Sequence, residues 1–503
     1  MEKYYKHKPA NIVLFDYVKE KNNLLQKHFL YGRKGNRITF WNETLLNDLL
    51  HFFSSNLLEK RYFYADRLVD WFLGTHDTEE FNEFRRSLTK LEIDGRLFSN
   101  YRDHTNHTFL VFILGAYLYE KLDRFREYYR LQCARDRKLD PSIPDAKDTD
   151  KVNDNFIFDW LYVSLLHDIG YTFSHVDEED DQSSSPLLPR ALKIMDTFFN
   201  QYVRNWFPFE ERPKIEQDVI DLHILLDMCM KVPAIKDARR IRKKELQEII
   251  QWLTYCPYFK ELSTNIKSTD SFEILRSYSS SFAPQHSEML RKWFLLLATE
   301  GEGWQKGENR IFDHGILSAL VYMKLVSFAF LVLMKIKDMD LSQIRSLRQR
   351  ELIKRAKEDI GKYRYREESF YEFVGIAWAI AMHNIRPLVG PERIASFNKT
   401  MFPIRPGDSF LACLLYLVDV LQEWDRDKLR LVDYTSPATA SLQSYEISIQ
   451  VIAQRIRISY VDNETTRDRI GKMKKDLENL DKKIRSIIDF DPIPDDLFFK
   501  IET

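Results

Sequence analysis

The 503-residue chain has little glycine (15 residues), only four cysteines and almost no net charge. Each shortage excludes something. Lysine and arginine number 75 against 76 aspartates and glutamates, a formal charge of −1. A chain so balanced has no global attraction for nucleic acid or anionic lipid, which leaves only local basic grooves for such partners. Cys133, Cys229, Cys256 and Cys413 are scattered without a CxxC pair. Neither a disulfide framework nor a cysteine zinc site is expected, and a reducing compartment fits. The longest apolar runs, such as Leu325–Met334, reach about ten residues, short of the roughly 20 that span a bilayer. The start, MEKYYKHKPA, has no apolar stretch behind its basic residues, so no signal peptide is expected. These readings give a cytoplasmic protein with no membrane partner.

What the chain does have is apolar periodicity. With 44% apolar and 30% charged residues it has the composition of a folded globular protein. A 3.6-residue period runs through 42–73, 107–131, 156–169, 190–206, 214–231, 240–255, 287–298, 313–336, 349–361, 369–384 and 408–430. Polar, proline-containing loops are expected at Leu139–Asp154 and Asp177–Pro189, and Ala298–Arg310 holds three of the 15 glycines. No repeat of 20–50 residues occurs, which argues against a solenoid. Tyr445–Ile449 and Ile456–Tyr460 alternate apolar and polar residues as short strands do, and a charged helix over roughly 464–488 follows. The expected fold is mainly α. It has an N-terminal helical region over 1–100, a helical core over 101–435 and a small α+β tail over 436–503. Residues 190–300, roughly, form an insertion or lid.

Chemistry-bearing residues lie on the apolar faces of these helices. His107 heads a stripe through Val111, Leu114, Leu118 and Leu122. His167, with Asp168 directly after it, ends one through Phe156, Trp160 and Val163. His314 precedes Leu317, Val321 and Leu325, and His383 closes a stripe through Phe373, Ile376 and Ile380. Asp419 continues one through Leu411 and Leu415, with Gln422 and Arg426 below it. A single buried histidine is usually a hydrogen-bonded core residue, and an aspartate near a helix end is often a cap. Six such residues on five helical segments point instead to imidazoles and carboxylates converging on a divalent metal.

Their order resembles the HD-domain superfamily of metal-dependent phosphohydrolases. The residues that carry the resemblance are RDHTNHTFLVFILGAYL (102–118), LYVSLLHDIGY (161–171), FDHGILSALVYM (312–323), AWAIAMHNI (377–385) and LLYLVDVLQEW (414–424). The resemblance implies an HD-type helical bundle core in which His107, His167, Asp168 and Asp419 hold a first metal. His314 and His383 would hold a second, with Asp168 bridging and the three residues Asp168, His314 and His383 catalytic. Two divalent ions are therefore expected, from among Mn²⁺, Fe²⁺, Ni²⁺, Co²⁺ and Mg²⁺. His104 lies three residues before His107 on the same helical face; the His-x-x-x-Val step to Val111 favours His107 as the ligand. Arg102, His104, His175, Lys324 and Arg426 are the expected contacts to phosphate.

The activity implied is hydrolysis of a nucleotide or phosphodiester by a metal-bound hydroxide attacking phosphorus. One alternative is a deoxynucleoside triphosphate triphosphohydrolase, which HDIGYTFSH (167–175) resembles, although Tyr171 stands where that subfamily has a catalytic histidine. Another is a single-strand nuclease. The basic runs Lys236–Lys244 and Arg345–Lys357 bear on it, but both read as solvated faces of amphipathic helices. A third is a non-catalytic HD scaffold for ligand sensing or assembly. The regions outside the core are candidates for homo-oligomer contacts.

Overall fold

The computed structural model describes residues 8–31, 43–55, 58–74, 79–94, 104–174, 187–206, 216–230, 238–262, 268–284, 290–291, 294–295, 313–344, 346–347, 350–351, 353–354, 357, 370–384, 403–422 and 447–494. Five N-terminal helices come first: α1 (Ala10–Lys19), α2 (Leu24–Tyr31), α3 (Glu43–Ser54), α4 (Leu58–Gly74) and α5 (Glu79–Asp94). They lead into α6 (His104–Lys121), α7 (Asp123–Asp136), α8 (Thr149–Leu166) and the single turn α9 (Tyr171–Ser174). A helical insertion follows, comprising α10 (Leu187–Trp206), α11 (Glu216–Met230), α12 (Ala238–Thr254), α13 (Phe259–Leu262) and α14 (Ser271–Phe282). The core resumes with α15 (His314–Asp338), α16 (Phe370–Met382) and α17 (Phe410–Leu421).

The tail contains β1 (Ile447–Ile452), β2 (Arg455–Val461), α18 (Glu464–Leu477), α19 (Lys482–Arg485) and β3 (Ile488–Ile493). The fold is thus predominantly α-helical with a small C-terminal sheet, as expected. The charged helix expected over roughly 464–488 ends at Leu477, and the residues from Ile488 supply a third strand. It pairs parallel to β2, from Ile456 opposite Ile488 to Val461 opposite Ile493, while β1 and β2 form an antiparallel hairpin.

Five helices form the centre. α6 packs on α4, α8 and α17, while α16 packs on α8, α15 and α17. Every residue of α6 from His104 to Tyr119 is buried. A helix apolar on all sides has no solvent face to display, so the stripe below His107 is only part of what it buries. Trp160 of α8 lies fully buried against it, its indole N–H donating to the Phe112 carbonyl at 2.9 Å. Gly115 makes that approach possible, since a Cβ there would stand 2.0 Å from the Trp160 ring. Side-chain caps start three of the other central helices, α8, α15 and α17. Asp148 accepts from Lys151 N, Asp313 from Ile316 N and Ser409 from Ala412 N. Each such cap contributes about 1 kcal/mol.

α15 differs from expectation. It is 25 residues long and, by length and composition alone, apolar enough to cross a membrane. The ten-residue run seen in the sequence is one part of it, because Lys324 and Ser327 interrupt the apolar letters without reaching solvent. In this fold 88% of its most apolar stretch is buried inside the protein. The insertion supplies part of that cover: the Phe199 and Tyr258 rings lie 4.4 and 5.8 Å from Phe328.

The helix expected over 107–131 breaks at Leu122, whose backbone is extended (φ −111°, ψ 109°). Gln454, at the tip of the β1–β2 hairpin, occupies the break. Its side chain accepts from Asp123 N at 2.8 Å and donates to Lys121 O at 3.2 Å. Ala453 and Gln454 both have positive φ (49° and 62°), the geometry of a tight two-residue hairpin turn that usually takes Asn-Gly. The strained turn is retained because its glutamine satisfies two backbone groups that the helix break leaves open.

Candidate metal centre

The six residues ordered along the sequence meet at helix ends. His107 lies in the first turns of α6, His167 caps the C-terminus of α8, and Asp168 follows it. His314 opens α15, His383 stands just beyond α16, and Asp419 is in the last turn of α17. Three helices therefore direct their C-terminal, partially negative ends at one point and two direct N-terminal, partially positive ends there, so the helix dipoles largely offset one another and the negative charge of the site rests on Asp168 and Asp419.

Asp168 is the centre of the arrangement. Its Oδ2 lies 3.4 Å from His167 Nε2 and 3.7 Å from His107 Nε2. Its Oδ1 lies 3.3 Å from His314 Nε2 and 3.6 Å from His383 Nε2. Each carboxylate oxygen thus faces one pair of imidazoles. The first pair is completed by Asp419, whose Oδ1 is 3.0 Å from His107 Nε2. Two overlapping sets, His107 with His167 and Asp419, and His167 with Asp168 and His383, have ligand atoms that all lie within 4.8 Å of one another.

Backbone and side-chain hydrogen bonds fix which imidazole nitrogen faces inward. His167 Nδ1 donates to the Ser164 carbonyl at 2.7 Å, and His383 Nδ1 to the Ile380 carbonyl at 2.6 Å. Both acceptors are carbonyls left open at a helix C-terminus, three residues before the histidine. Gln422 Oε1 plays the same part for His107 Nδ1. With Nδ1 carrying the proton, the Nε2 of each of these three imidazoles, when neutral, presents a lone pair inward. His107 Nε2 and His167 Nε2 are 3.2 Å apart, and His383 Nε2 and His314 Nε2 are 3.3 Å apart. Two lone pairs at such separations repel unless a cation or a proton lies between them. The donor set of imidazole nitrogens and carboxylate oxygens therefore fits one or two divalent ions.

Protonation agrees. Burial drives His167 down to about 3, against the pull of Asp168, so it is a neutral ligand at neutral pH. Burial would push the Asp168 carboxyl up, yet His167 beside it and hydrogen bonds from His314 and His383 hold it well below the usual carboxylate range. Burial lowers His314 too; it lowers His383 as well, but there the hydrogen bond to Asp168 together with the charges of Asp168 and Asp419 outweighs it and raises His383 on balance.

Beside Asp168 lies a cavity of about 50 Å³ whose wall includes His104, Thr105, Thr108, Tyr171, Thr172 and Arg85. The His104 ring rests 3.8 Å from the Tyr171 ring, which in turn faces His314 at 5.7 Å. Two buried atoms of that wall, Arg85 Nε and Thr172 Oγ1, have no hydrogen-bond partner among the described residues. Room and polarity together suit ordered water or a small polar ligand.

Comparison of the chain with protein-family models, with curated proteins and with solved structures finds no match. The geometry alone carries the assignment. The His/Asp cluster is consistent with an HD-type metal-binding motif.

The remaining expected residues divide three ways. His104 lines the cavity, while His107 is the histidine within reach of His167, Asp168 and Asp419. Arg102, His175 and Arg426 lie outside the described residues. Lys324 is a correction. It is fully buried, and its Nζ donates to Asp218 Oδ1 at 2.9 Å and to the carbonyls of Trp252 and Tyr255 at 3.1 and 2.9 Å. The Trp252 ring covers it at 4.4 Å. All its donors are engaged by the insertion, so it contacts no phosphate. Arg85 and Tyr171 were not among the expected site residues, and Gln422 was noted beneath Asp419 without a role. Its place one turn beyond Asp419 was the available signal.

The two histidines can be separated by experiment. His107→Ala should weaken metal binding by more than about 100-fold, beyond the loss of a residue that only supports a ligand. His104→Ala should leave metal content unchanged and act on KM. Metal analysis of both variants checks this, and loss of metal in His104→Ala alone would exchange the roles.

Proposed function

We propose that the chain is a divalent-metal-dependent phosphohydrolase that cleaves a nucleotide or phosphodiester. The observation that carries this reading is Asp168 set between two pairs of inward-facing imidazoles, one oxygen to each pair. His107, His167, Asp168 and Asp419 would hold one ion, and Asp168, His314 and His383 the other. Bound divalent ions supply a lowered water pKa and charge neutralisation at phosphoryl oxygens.

The chain's own residues do the rest. Gln422, the Ser164 carbonyl and the Ile380 carbonyl keep three imidazoles in one tautomer, so no reorientation is needed when substrate arrives. Asp168 stays ionised at neutral pH. Tyr171 and His104 wall the cavity next to it, which leaves room for a phosphoryl-sized group. A cytoplasmic setting is supported by four free cysteines, three of them buried.

The test is elemental analysis of untagged protein purified without chelator, followed by a Mn²⁺-supplemented screen. The screen covers dNTPs, cyclic nucleotides, nucleoside monophosphates and single-stranded oligonucleotides. About two ions per chain with phosphodiester or phosphomonoester cleavage is the expected result. One ion with release of triphosphate from dNTPs would replace this reading by the triphosphohydrolase. No ion and no turnover would leave a scaffold.

A further inference from the structure

His314 and His383 come from elements 69 residues apart in sequence, and a pair of flanking residues ties those elements together. Asp313 Oδ1 accepts from Ile316 N at 2.9 Å, which caps the helix that His314 opens. Its other oxygen, Oδ2, accepts from Asn384 Nδ2 at 2.9 Å. Asn384 directly follows His383. One carboxylate thus caps the start of α15 and, through the Asn384 hydrogen bond, holds the chain just past α16. Gly315 permits the closeness, since a Cβ there would stand 3.0 Å from His383 Cε1 and 3.2 Å from Asp313 Oδ1.

We propose that Asp313 and Asn384 are a positioning pair that sets the spacing of His314 and His383, and so controls the affinity of the second divalent ion separately from the first. The proposal rests on the two-ion reading above. The donor sets are unequal. The first ion has two imidazoles, Asp419 and a share of Asp168, while the second has two imidazoles and its share of Asp168. With one carboxylate fewer, the second site depends more on how well its imidazoles are placed. His314 is also at the first position of its helix, where backbone N–H groups lack intrahelical acceptors and the Asp313 carboxylate caps one of them. The first pair is anchored differently, by Gln422 and by the Ser164 carbonyl, so loosening the Asp313–Asn384 bond does not reach it.

The experiment is Mn²⁺ titration of the full chain, with electron paramagnetic resonance reading both the ions bound and the magnetic coupling of the pair. Asn384→Leu removes the donor while keeping the bulk; Asn384→Ala is the companion should the first variant fold poorly. Either should weaken the second Mn²⁺ about 10–100-fold and abolish coupling, with the first Mn²⁺ within about twofold of wild type. The double variant Asp313→Asn with Asn384→Asp reverses donor and acceptor while an amide oxygen still caps α15, and it should restore coupling. Wild-type affinity and coupling in Asn384→Leu would overturn the positioning role and leave the two-ion reading standing. So would a double variant as weak as the single ones. A wild-type protein that takes up only one Mn²⁺ would overturn both together.

Discussion

Asp168→Asn should give a folded protein that binds no more than a trace of metal and turns over at the background rate, a loss of at least about 10³-fold. Among the described residues no other faces both pairs of imidazoles, with oxygens at 3.3–3.7 Å from all four Nε2 atoms. The amide keeps the shape but removes the charge that both ions require. Its effect on stability has the same sign as its effect on function. The fold holds the Asp168 carboxyl well below its usual range, so the ionised form contributes stability at neutral pH that the amide forfeits. The chelated variant should therefore melt below the chelated wild type. Added Mn²⁺ widens the gap: at 100 times its dissociation constant an ion stabilises the wild type by about 2.7 kcal/mol and leaves the variant unmoved. Thermal melts of both proteins with chelator and with Mn²⁺ check this. A Mn²⁺-induced rise in Asp168→Asn equal to that of the wild type would remove Asp168 from the metal centre.

How much of this was legible in the sequence differs from residue to residue. The ligands were legible because buried histidines and aspartates on apolar stripes violate the binary pattern, and such violations mark sites. His107 rather than His104 followed from the resemblance, through its His-x-x-x-Val step. Lys324 misled for a physical reason. On a linear reading a lysine nearly three turns beyond His314 sits near the site, but the insertion supplies Asp218 and two carbonyls that enclose it. No local pattern announces a partner more than 100 positions away. The break at Leu122 was equally hidden. The apolar period runs straight through it, and what stabilises the break is Gln454, over 300 positions later. The third strand escaped for another reason. Its residues, IDFDPI, alternate for only four positions and include two aspartates and a proline, all poor strand formers, so parallel pairing with β2 rather than local propensity makes them a strand. Asn384 and Asp313 were visible letters whose meaning depends on α15 and α16 lying side by side.

Gly170→Ala should be the most damaging single methyl in the centre. Gly170 lies two residues after Asp168, and its N–H donates to Ser318 Oγ of α15 at 2.9 Å. A Cβ there would stand 2.3 Å from Ser318 N and 2.7 Å from the Leu317 carbonyl carbon. Both are backbone atoms near the start of a buried helix, so no side-chain rotation relieves the clash. Reaching the 3.4 Å of ordinary contact with Ser318 N would take about 1.1 Å of movement, and α15 must supply it. Overpacking of this kind costs about 1–3 kcal/mol, here at the upper end because the obstacle is main chain. The functional loss follows from the same displacement. His314 rides on α15 one turn before Ser318, and a shift of that size takes it away from Asp168 Oδ1, now 3.3 Å distant. A misplacement of about 1 Å is worth about 10²-fold in rate. Gly170→Ala should thus lower the melting temperature, lose the second ion before the first and reduce kcat by about 10²-fold. Ser318→Ala separates the two causes, because it removes the hydrogen bond, worth about 1 kcal/mol, without moving the helix. It should keep both ions and most of the activity. If Gly170→Ala keeps both ions and wild-type kcat, α15 does not press on the His-Asp turn, and the spacing of His314 from Asp168 must be set elsewhere.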